Sequence, residues 1–189
     1  MTETPNPHII NADTLTGEMR PIRRAVLALG SNLGDRLASL QGAVEAIADT
    51  PEVWVTGVSP VYETQPVDSP AGADTFLNAV LLIDTTLAAN RLMDRALAVE
   101  DAFGRERGDV DNAPRTLDVD LIVVGDRRSD DEHLRLPHPR AAQRSFVLKP
   151  WFDLEPDAVL PERGPIADLL AQVGTDGLIL REDLALDVG

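Results

Sequence analysis

Asp118 and Asp120 are the two side chains of this chain whose type and spacing are best suited to chemistry. They lie in the run 113–122, and a β-strand sends successive side chains to opposite faces. Val119 and Leu121 can therefore enter a core while both carboxylates share the other face. Paired carboxylates suit a hard divalent cation such as Mg²⁺, which takes oxygen ligands and accompanies phosphate. The spacing fits equally well an edge strand with a solvated acidic face, and the pattern alone leaves both interpretations open.

Basic residues flank these aspartates along the chain: Arg105, Arg107, Arg115 and Arg144. A guanidinium group pairs bidentately with phosphate oxygens, so such a cluster beside a metal would hold a metal-bound polyphosphate. Each arginine taken singly fits a surface salt bridge, which is the commoner role in an acidic chain. His138 lies between two prolines that fix a rigid turn, and a lone histidine is more often structural than catalytic.

Phe76 and Asn78 share a strand face by parity, and an aromatic ring beside a carboxamide could bind a flat heterocycle. Core packing is the competing interpretation for Phe76. Glu100 falls one position off the apolar stripe of a helix, so we expect a solvated carboxylate there. Gly30 and Gly34 bracket a short loop that lacks the ending of a phosphate-binding P-loop. We interpret both glycines as supplying tight backbone geometry between a strand and a helix.

Composition limits the classes of function open to the chain. Its 189 residues, 43% of them hydrophobic, fit one globular domain with appended segments, and the absence of cysteine excludes disulfides and thiolate chemistry. Seventeen basic against thirty-two acidic residues give a formal charge of -15, which should repel nucleic acid. No apolar stretch approaches membrane-spanning length. We therefore predict a cytoplasmic protein without nucleic-acid or membrane partners, and we expect a monomer.

Hydrophobic periodicity predicts the elements that must position these residues. Apolar runs predict strands over 25–29, 53–62, 76–83 and around 118–122, and helical spacing predicts helices over 37–47 and 92–103. Asp35 is the expected N-cap of the first helix. The order β-α-β-β-α-β is that of the α+β, ferredoxin-like arrangement, an antiparallel sheet with helices packed on it, here with a C-terminal extension. A further helix is predicted over 166–173.

Three segments follow from this pattern. Residues 1–22 are a polar leader, 23–175 form the single domain, and 176–189 form a C-terminal tail. The Pro-containing loop over 63–75 is longer than a hairpin needs, which favours a binding role.

Taken together, these motifs resemble the 6-hydroxymethyl-7,8-dihydropterin pyrophosphokinases of folate biosynthesis over residues 24–161. The segments that carry the resemblance are LGSNLGD at 29–35, SPVYET at 59–64, FLNA at 76–79, GRER at 104–107, APRTLDVDLI at 113–122, LPHP at 136–139 and RSFVL at 144–148. The resemblance implies transfer of the pyrophosphoryl group of ATP to the pterin hydroxymethyl oxygen, giving AMP and the pterin diphosphate. It also implies that Asp118 and Asp120 bind two Mg²⁺ ions.

The resemblance assigns the remaining roles position by position. Catalytic contacts to the phosphates are implied for Arg105 and Arg115, beside the two aspartates. The implied nucleotide-binding residues are Glu100, Arg107, Leu134, Arg135, His138 and Arg144. The implied pterin pocket consists of Thr64, Gln65, Val67, Phe76, Asn78 and Phe146. Phosphoryl-type transfer depends mainly on alignment and charge neutralisation, which metal and arginine supply together.

One loop departs from the family pattern. Where the family commonly has basic residues and a tryptophan that closes over the pterin, residues 108–112 are acidic and Asn112 takes the aromatic position. We expect a looser lid and weaker pterin affinity, with the metal chemistry intact. A ferredoxin-like module that binds pterin or nucleotide without turnover is the alternative function, and a different Mg²⁺-dependent phosphotransferase is a third.

Overall fold

A computed structural model of the chain describes residues 20–65, 74–103 and 116–189. Its strands are β1 (Arg23–Ser31), β2 (Val53–Val58), β3 (Tyr62–Thr64), β4 (Phe76–Thr85), β5 (Asp118–Val124), β6 (Ser129–Asp131), β7 (Leu134–Leu136), β8 (Val159–Leu160), β9 (Gly164–Pro165) and β10 (Leu178–Leu180). Its helices are α1 (Arg36–Ala48), α2 (Ala89–Ala102), α3 (Ser145–Leu154) and α4 (Ile166–Val173), with a 3-10 turn at Ala141–Gln143. The leader, up to residue 19, lies outside the described residues.

The main sheet has the order β10-β3-β4-β1-β5, with β2 paired to β4 beside β3, and every pair is antiparallel. β1, α1 and β2 form one crossover, and β4, α2 and β5 form the second. Each crossover skips one strand, which is the ferredoxin-like arrangement that the order of elements predicts. The fold class expected from the sequence is therefore confirmed. Its consequence for the site is that β1 lies between β4 and β5.

The sheet is covered on both faces, and strand parity assigns each side chain to one of two cores. Leu27 and Leu29 of β1 pack with α1 and α2, whereas Val26 and Ala28 pack in a second cluster with α3 and α4. Alternation along a strand produces this division directly. The even positions of β1, which include Gly30 near its end, and the residues paired with them therefore lie on the α3 side of the sheet.

The start of α1 follows the sequence prediction. The Asp35 carboxylate accepts a hydrogen bond from the Ala38 backbone amide at 3.0 Å, which satisfies one of the unpaired amides of the first turn. Gly34 has φ +67°, a left-handed conformation that favours glycine in the turn between β1 and α1.

Several parts of the fold were not predicted from the sequence: α3, β10 and the two short sheets β6-β7 and β8-β9. α3 contains Pro150, and an internal proline removes a helical hydrogen bond and disguises the pattern. Residues 178–180, delimited above as part of a tail, form β10 and extend the main sheet beyond β3. Within the described part of the chain, no helix combines the length and apolar character needed to cross a bilayer.

Candidate active site

A row of three residues across adjacent strands forms the centre of the candidate site. Gly30 of β1 lies opposite Asn78 of β4 on one side and opposite Asp118 of β5 on the other. A Cβ placed on Gly30 would stand 3.6 Å from Asn78 Oδ1 and 3.9 Å from Asp118 Cβ. The missing side chain therefore leaves a small floor between the carboxamide and the carboxylate, bordered also by Phe76 Cδ1 at 3.7 Å.

The aspartate pair lies as the strand pattern predicts. Val119 and Leu121 are buried in the core on the α1 side, so the expectation that they enter a core is confirmed. Asp118 and Asp120 occupy alternate positions of β5, and both are partly exposed. The relative solvent accessibility of the Asp120 side chain is 38%. Both carboxylates can therefore be reached by a ligand on the α3 side of the sheet.

Arg144 and His138 lie next to Asp120. Arg144 Nη1 donates to Asp120 Oδ2 at 3.3 Å, although the two residues are 24 positions apart. The His138 backbone amide donates to the Ile122 carbonyl at 2.8 Å, which attaches the histidine turn to β5. Burial lowers the pKa of His138, and the charges of Arg144 and Arg140 lower it further against the opposing effect of Asp120.

Three of the predicted pterin residues, Thr64, Phe76 and Asn78, belong to β3 and β4, across Gly30 from the aspartate pair. Asn78 is 4% exposed and its Nδ2 donates to Thr64 Oγ1 at 2.9 Å, while Phe76 pairs in register with Thr64. The Phe146 ring, at the start of α3, lies 5.5 Å from the Arg144 guanidinium carbon. Gln65 follows β3 and is exposed. The structure thus places an amide and a hydroxyl across Gly30 from Asp118, and an aromatic ring beside the arginine that contacts Asp120.

Three residues predicted near the nucleotide differ in their surroundings. Glu100 is 1% exposed and its Oε1 accepts from the Val119 backbone amide at 2.9 Å, so the expectation of a solvated carboxylate is wrong. The reason is that the end of α2 packs against β5, where a backbone donor replaces water. Leu134 is buried in the core, whereas its neighbour Arg135 is exposed.

Several predicted residues lie outside the described part of the chain. These are Val67, Arg105, Arg107 and Arg115, together with the acidic loop 108–112. Their proposed roles remain predictions from the sequence.

Two features of the site were missed at the level of sequence. Gly30 belongs to the strand rather than to the turn, so its interpretation as turn geometry is wrong. Its position between two polar residues of neighbouring strands could not be predicted before the register was known.

Tyr62 is the second feature that the sequence did not reveal. Its hydroxyl donates to Asp153 of α3, and Lys149 pairs with the same carboxylate. Burial first, then the hydrogen bond to Asp153, raises the pKa of Tyr62.

The candidate metal ligands among the described residues are Asp118 and Asp120. Within residues 20–65, 74–103 and 116–189, no group of three or more His, Asp or Glu side chains is arranged to hold an ion. Two carboxylates nevertheless fit Mg²⁺, because this ion is commonly bound by one or two carboxylates together with water and substrate phosphates.

Comparisons with a family model and with related sequences agree on one enzyme family. The family model described as 7,8-dihydro-6-hydroxymethylpterin-pyrophosphokinase matches residues 26–156. A 2-amino-4-hydroxy-6-hydroxymethyldihydropteridine pyrophosphokinase of Pseudomonas aeruginosa is 39% identical over 157 residues, 83% of this chain and 96% of the relative. The enzyme of the same name from Mycobacterium tuberculosis is 39% identical over 163 residues, 79% of this chain and 84% of the relative.

Solved structures support the fold. A Plasmodium falciparum HPPK-DHPS chain with pterin and p-hydroxybenzoate superposes with a TM-score of 0.60 at 14% identity, over 82% of this chain and 42% of that chain. The same protein with pteroate gives a TM-score of 0.59 at 14% identity, over 82% and 43% respectively. The chain thus spans less than half of these longer proteins.

Proposed function

Because the chain belongs to the 7,8-dihydro-6-hydroxymethylpterin-pyrophosphokinase family, and is therefore an ATP-dependent pyrophosphokinase of folate biosynthesis, we propose which of its residues carry out the transfer. In this reaction the hydroxymethyl oxygen of the pterin attacks the β-phosphorus of ATP. The bond from that phosphorus to the oxygen bridging to the α-phosphate breaks, AMP leaves, and the hydroxyl proton is released. The protein must therefore align two substrates and neutralise phosphate charge.

Asp118 and Asp120 would hold Mg²⁺, two ions by the resemblance, together with phosphate oxygens of ATP. When bound, the metal neutralises phosphate charge and makes the attacking hydroxyl more acidic. Both carboxylates are partly exposed on one face of β5, which leaves room for ligands from the substrates. The negative charge of the chain makes this local arrangement necessary, because a net charge of -15 opposes the approach of ATP.

Arg144 and His138 would contact the nucleotide phosphates. Arg144 donates to Asp120 in the structure. Its planar guanidinium has further N–H groups that can donate to two oxygens of a phosphate. The backbone bond to Ile122 fixes the main chain of His138, and the Arg140 backbone amide donates to its Nδ1 at 3.2 Å, which orients the ring. Arg105, Arg107 and Arg115 would complete the cluster of cations, with Arg135 and backbone groups of Leu134 beside the nucleotide.

Asn78, Thr64 and Phe146 would bind the pterin. A carboxamide can read both donors and acceptors on the heterocycle edge, and an aromatic ring can stack on its face. The bond from Asn78 to Thr64 fixes the orientation of the amide before the substrate arrives. Phe76, Gln65 and Val67 would line the same pocket.

The observation that carries this proposal is the row Asn78, Gly30 and Asp118 across three neighbouring strands. Neighbouring strands are roughly 4.8 Å apart, so the Cα atoms of Asn78 and Asp118 stand about 10 Å apart, with only Gly30 between them in the row. A flat ring bound at Asn78 would extend its hydroxymethyl group towards Asp118. Such a separation suits a reaction in which pterin and metal-bound ATP must meet.

The first experiment incubates the chain with ATP, Mg²⁺ and 6-hydroxymethyl-7,8-dihydropterin and separates the nucleotide products. We expect AMP in amounts equal to the pterin diphosphate. ADP as the sole nucleotide product would indicate another phosphotransferase. Binding of pterin without formation of AMP or ADP would indicate a non-catalytic module. Either result would overturn the proposal.

The second experiment tests the aspartates with Asp118→Asn and Asp120→Asn. We expect each to lower kcat by at least roughly a hundredfold, because metal charge stabilisation is worth several kcal/mol and each 1.36 kcal/mol is a factor of ten. The matched control is Asp157→Asn, since Asp157 is exposed in the turn before β8. Thermal unfolding checks that all three variants fold. Normal turnover by both aspartate variants would contradict the proposed metal site.

A monomer in the cytoplasm remains the expectation from the sequence. Light scattering at the concentration of the assay checks the oligomeric state.

A further inference from the structure

The C-terminal segment lies beyond residues 26–156, the range matched by the family model, yet it pairs with a strand of the candidate pterin pocket. In β10, Leu178 lies opposite Thr64, and Leu180 lies opposite Tyr62. β3 is only three residues long, and β10 and β4 enclose it from its two sides. The position of Thr64, and hence of the Asn78 amide that donates to it, depends on both neighbours.

Glu63 is the residue through which the side chains of this region are connected. Its carboxylate accepts from Arg36 at 3.2 Å, from the Thr75 hydroxyl and from Arg181, which follows β10 directly. The hydrogen bond from Thr75, followed by those from Arg181 and Arg36, lowers the pKa of Glu63 to about 2. The start of α1, the centre of β3, the residue before β4 and the end of β10 thus meet at one carboxylate.

Arg181 is itself held in place by a second carboxylate. Its Nε and Nη2 donate to Asp183 at 2.8 and 2.7 Å, and its backbone amide donates to the Val61 carbonyl at 2.9 Å. A guanidinium bound by two carboxylates loses less side-chain freedom per hydrogen bond than a mobile lysine would. Arg181 can therefore hold the Glu63 carboxylate in one position.

Further along, the segment is attached to α1. Leu184 and Leu186 pack against the core on the α1 side. Gln41 donates to the Asp187 carbonyl at 2.9 Å and accepts from the Asp187 amide at 3.0 Å. Residues 178–187 are thus anchored at both ends, and Arg181 lies where the segment meets β3.

We propose that Arg181, acting through Glu63, is a positioning residue that fixes β3 so that Thr64 and Asn78 hold the pterin. The inference rests on the proposed function, which places the pterin at these two residues. Short strands with few ladder bonds open locally, and side-chain anchors limit that opening. Binding of a rigid heterocycle depends on supporting residues of this kind, since displacements near 1 Å matter. ATP binds on the other side of Gly30, so its affinity does not depend on Arg181.

The test measures dissociation constants for pterin and for an ATP analogue by calorimetry in Arg181→Gln, Glu63→Gln and the double variant. We expect each single variant to weaken pterin binding about three- to tenfold, as for loss of a charge-assisted hydrogen bond. The affinity for the ATP analogue should stay within about twofold. Because Arg181 is proposed to act through Glu63, the double variant should bind pterin no more weakly than Glu63→Gln alone.

Two further variants keep the test specific. Arg181→Lys retains one charge and should recover part of the pterin affinity, whereas Arg128→Gln is the matched control. Arg128 pairs with Glu162 at 3.0 Å in an ion pair whose two side chains are both exposed. Pterin affinity within twofold of wild type in both single variants, multiplicative losses in the double variant, or equal losses of pterin and nucleotide affinity would each overturn the inference. Failure of the wild-type chain to bind pterin would instead overturn the proposed function.

Discussion

Gly30→Ala should make the protein slightly more stable and a much poorer enzyme. The added Cβ would stand 3.6 Å from Asn78 Oδ1, 3.7 Å from Phe76 Cδ1 and 3.9 Å from Asp118 Cβ, which are ordinary van der Waals distances. The methyl group therefore fits the protein alone. Glycine inside a strand costs roughly 0.5–1 kcal/mol relative to alanine, so the free energy of unfolding should rise by about that amount. In a chain of this size the melting temperature should rise by about 1–4 °C.

The same methyl group occupies the floor on which the substrates meet. If it displaces the pterin by about 1 Å from the attacking position, kcat/KM should fall by about a hundredfold, or about 2.7 kcal/mol of transition-state stabilisation. The assay combines thermal unfolding without ligands with steady-state production of AMP. Stability and activity should thus change in opposite directions.

Gly57→Ala is the matched control for this variant. A Cβ there would stand 3.5 Å from Leu154 and 3.5 Å from Leu82, again at ordinary distances, but in β2 and away from the row. We expect a similar gain in stability with unchanged kinetics. Full activity in Gly30→Ala would refute the placement of the substrates over Gly30, and a lower melting temperature would refute the steric argument.

Three further variants test the elements around the site. Asp35→Ala removes the cap of α1 and should lower the free energy of unfolding by about 1 kcal/mol, measured in urea. Glu100→Ala leaves the buried Val119 amide without this acceptor and should cost about 1–3 kcal/mol in the same assay, and a neutral result would contradict the assigned bond. Glu63→Gln tests the acid sensitivity of the fold. The pKa of Glu63 is about 2, below its ordinary 4.5, so the stabilisation by its carboxylate is complete above pH 4.5 and is lost as the pH falls towards 2. The difference in unfolding free energy between wild type and Glu63→Gln should therefore shrink over that range, and a difference independent of pH would count against the network.

Local patterns were sufficient for the main elements of the fold. The β1 run, the α1 cap at Asp35 and the apolar spacing of α2 and α4 all predicted elements that the structure contains. α3 was not predicted because Pro150 breaks the expected helical pattern, although its apolar residues still cover the sheet. β10 was not predicted because three residues show too little periodicity to be distinguished from a loop.

The sequence by itself determined that Asp118 and Asp120 share a face, because side-chain alternation is a local property of any strand. It also determined the family, since its motifs occur in a fixed order. Only the tertiary structure decided that Gly30 separates Asn78 from Asp118, that Arg144 reaches Asp120, and that Arg181 holds Glu63 118 positions away. These relations depend on register and packing between distant segments. The physical reason is that such pairings are set by the burial of the whole core rather than by the neighbours of any one residue.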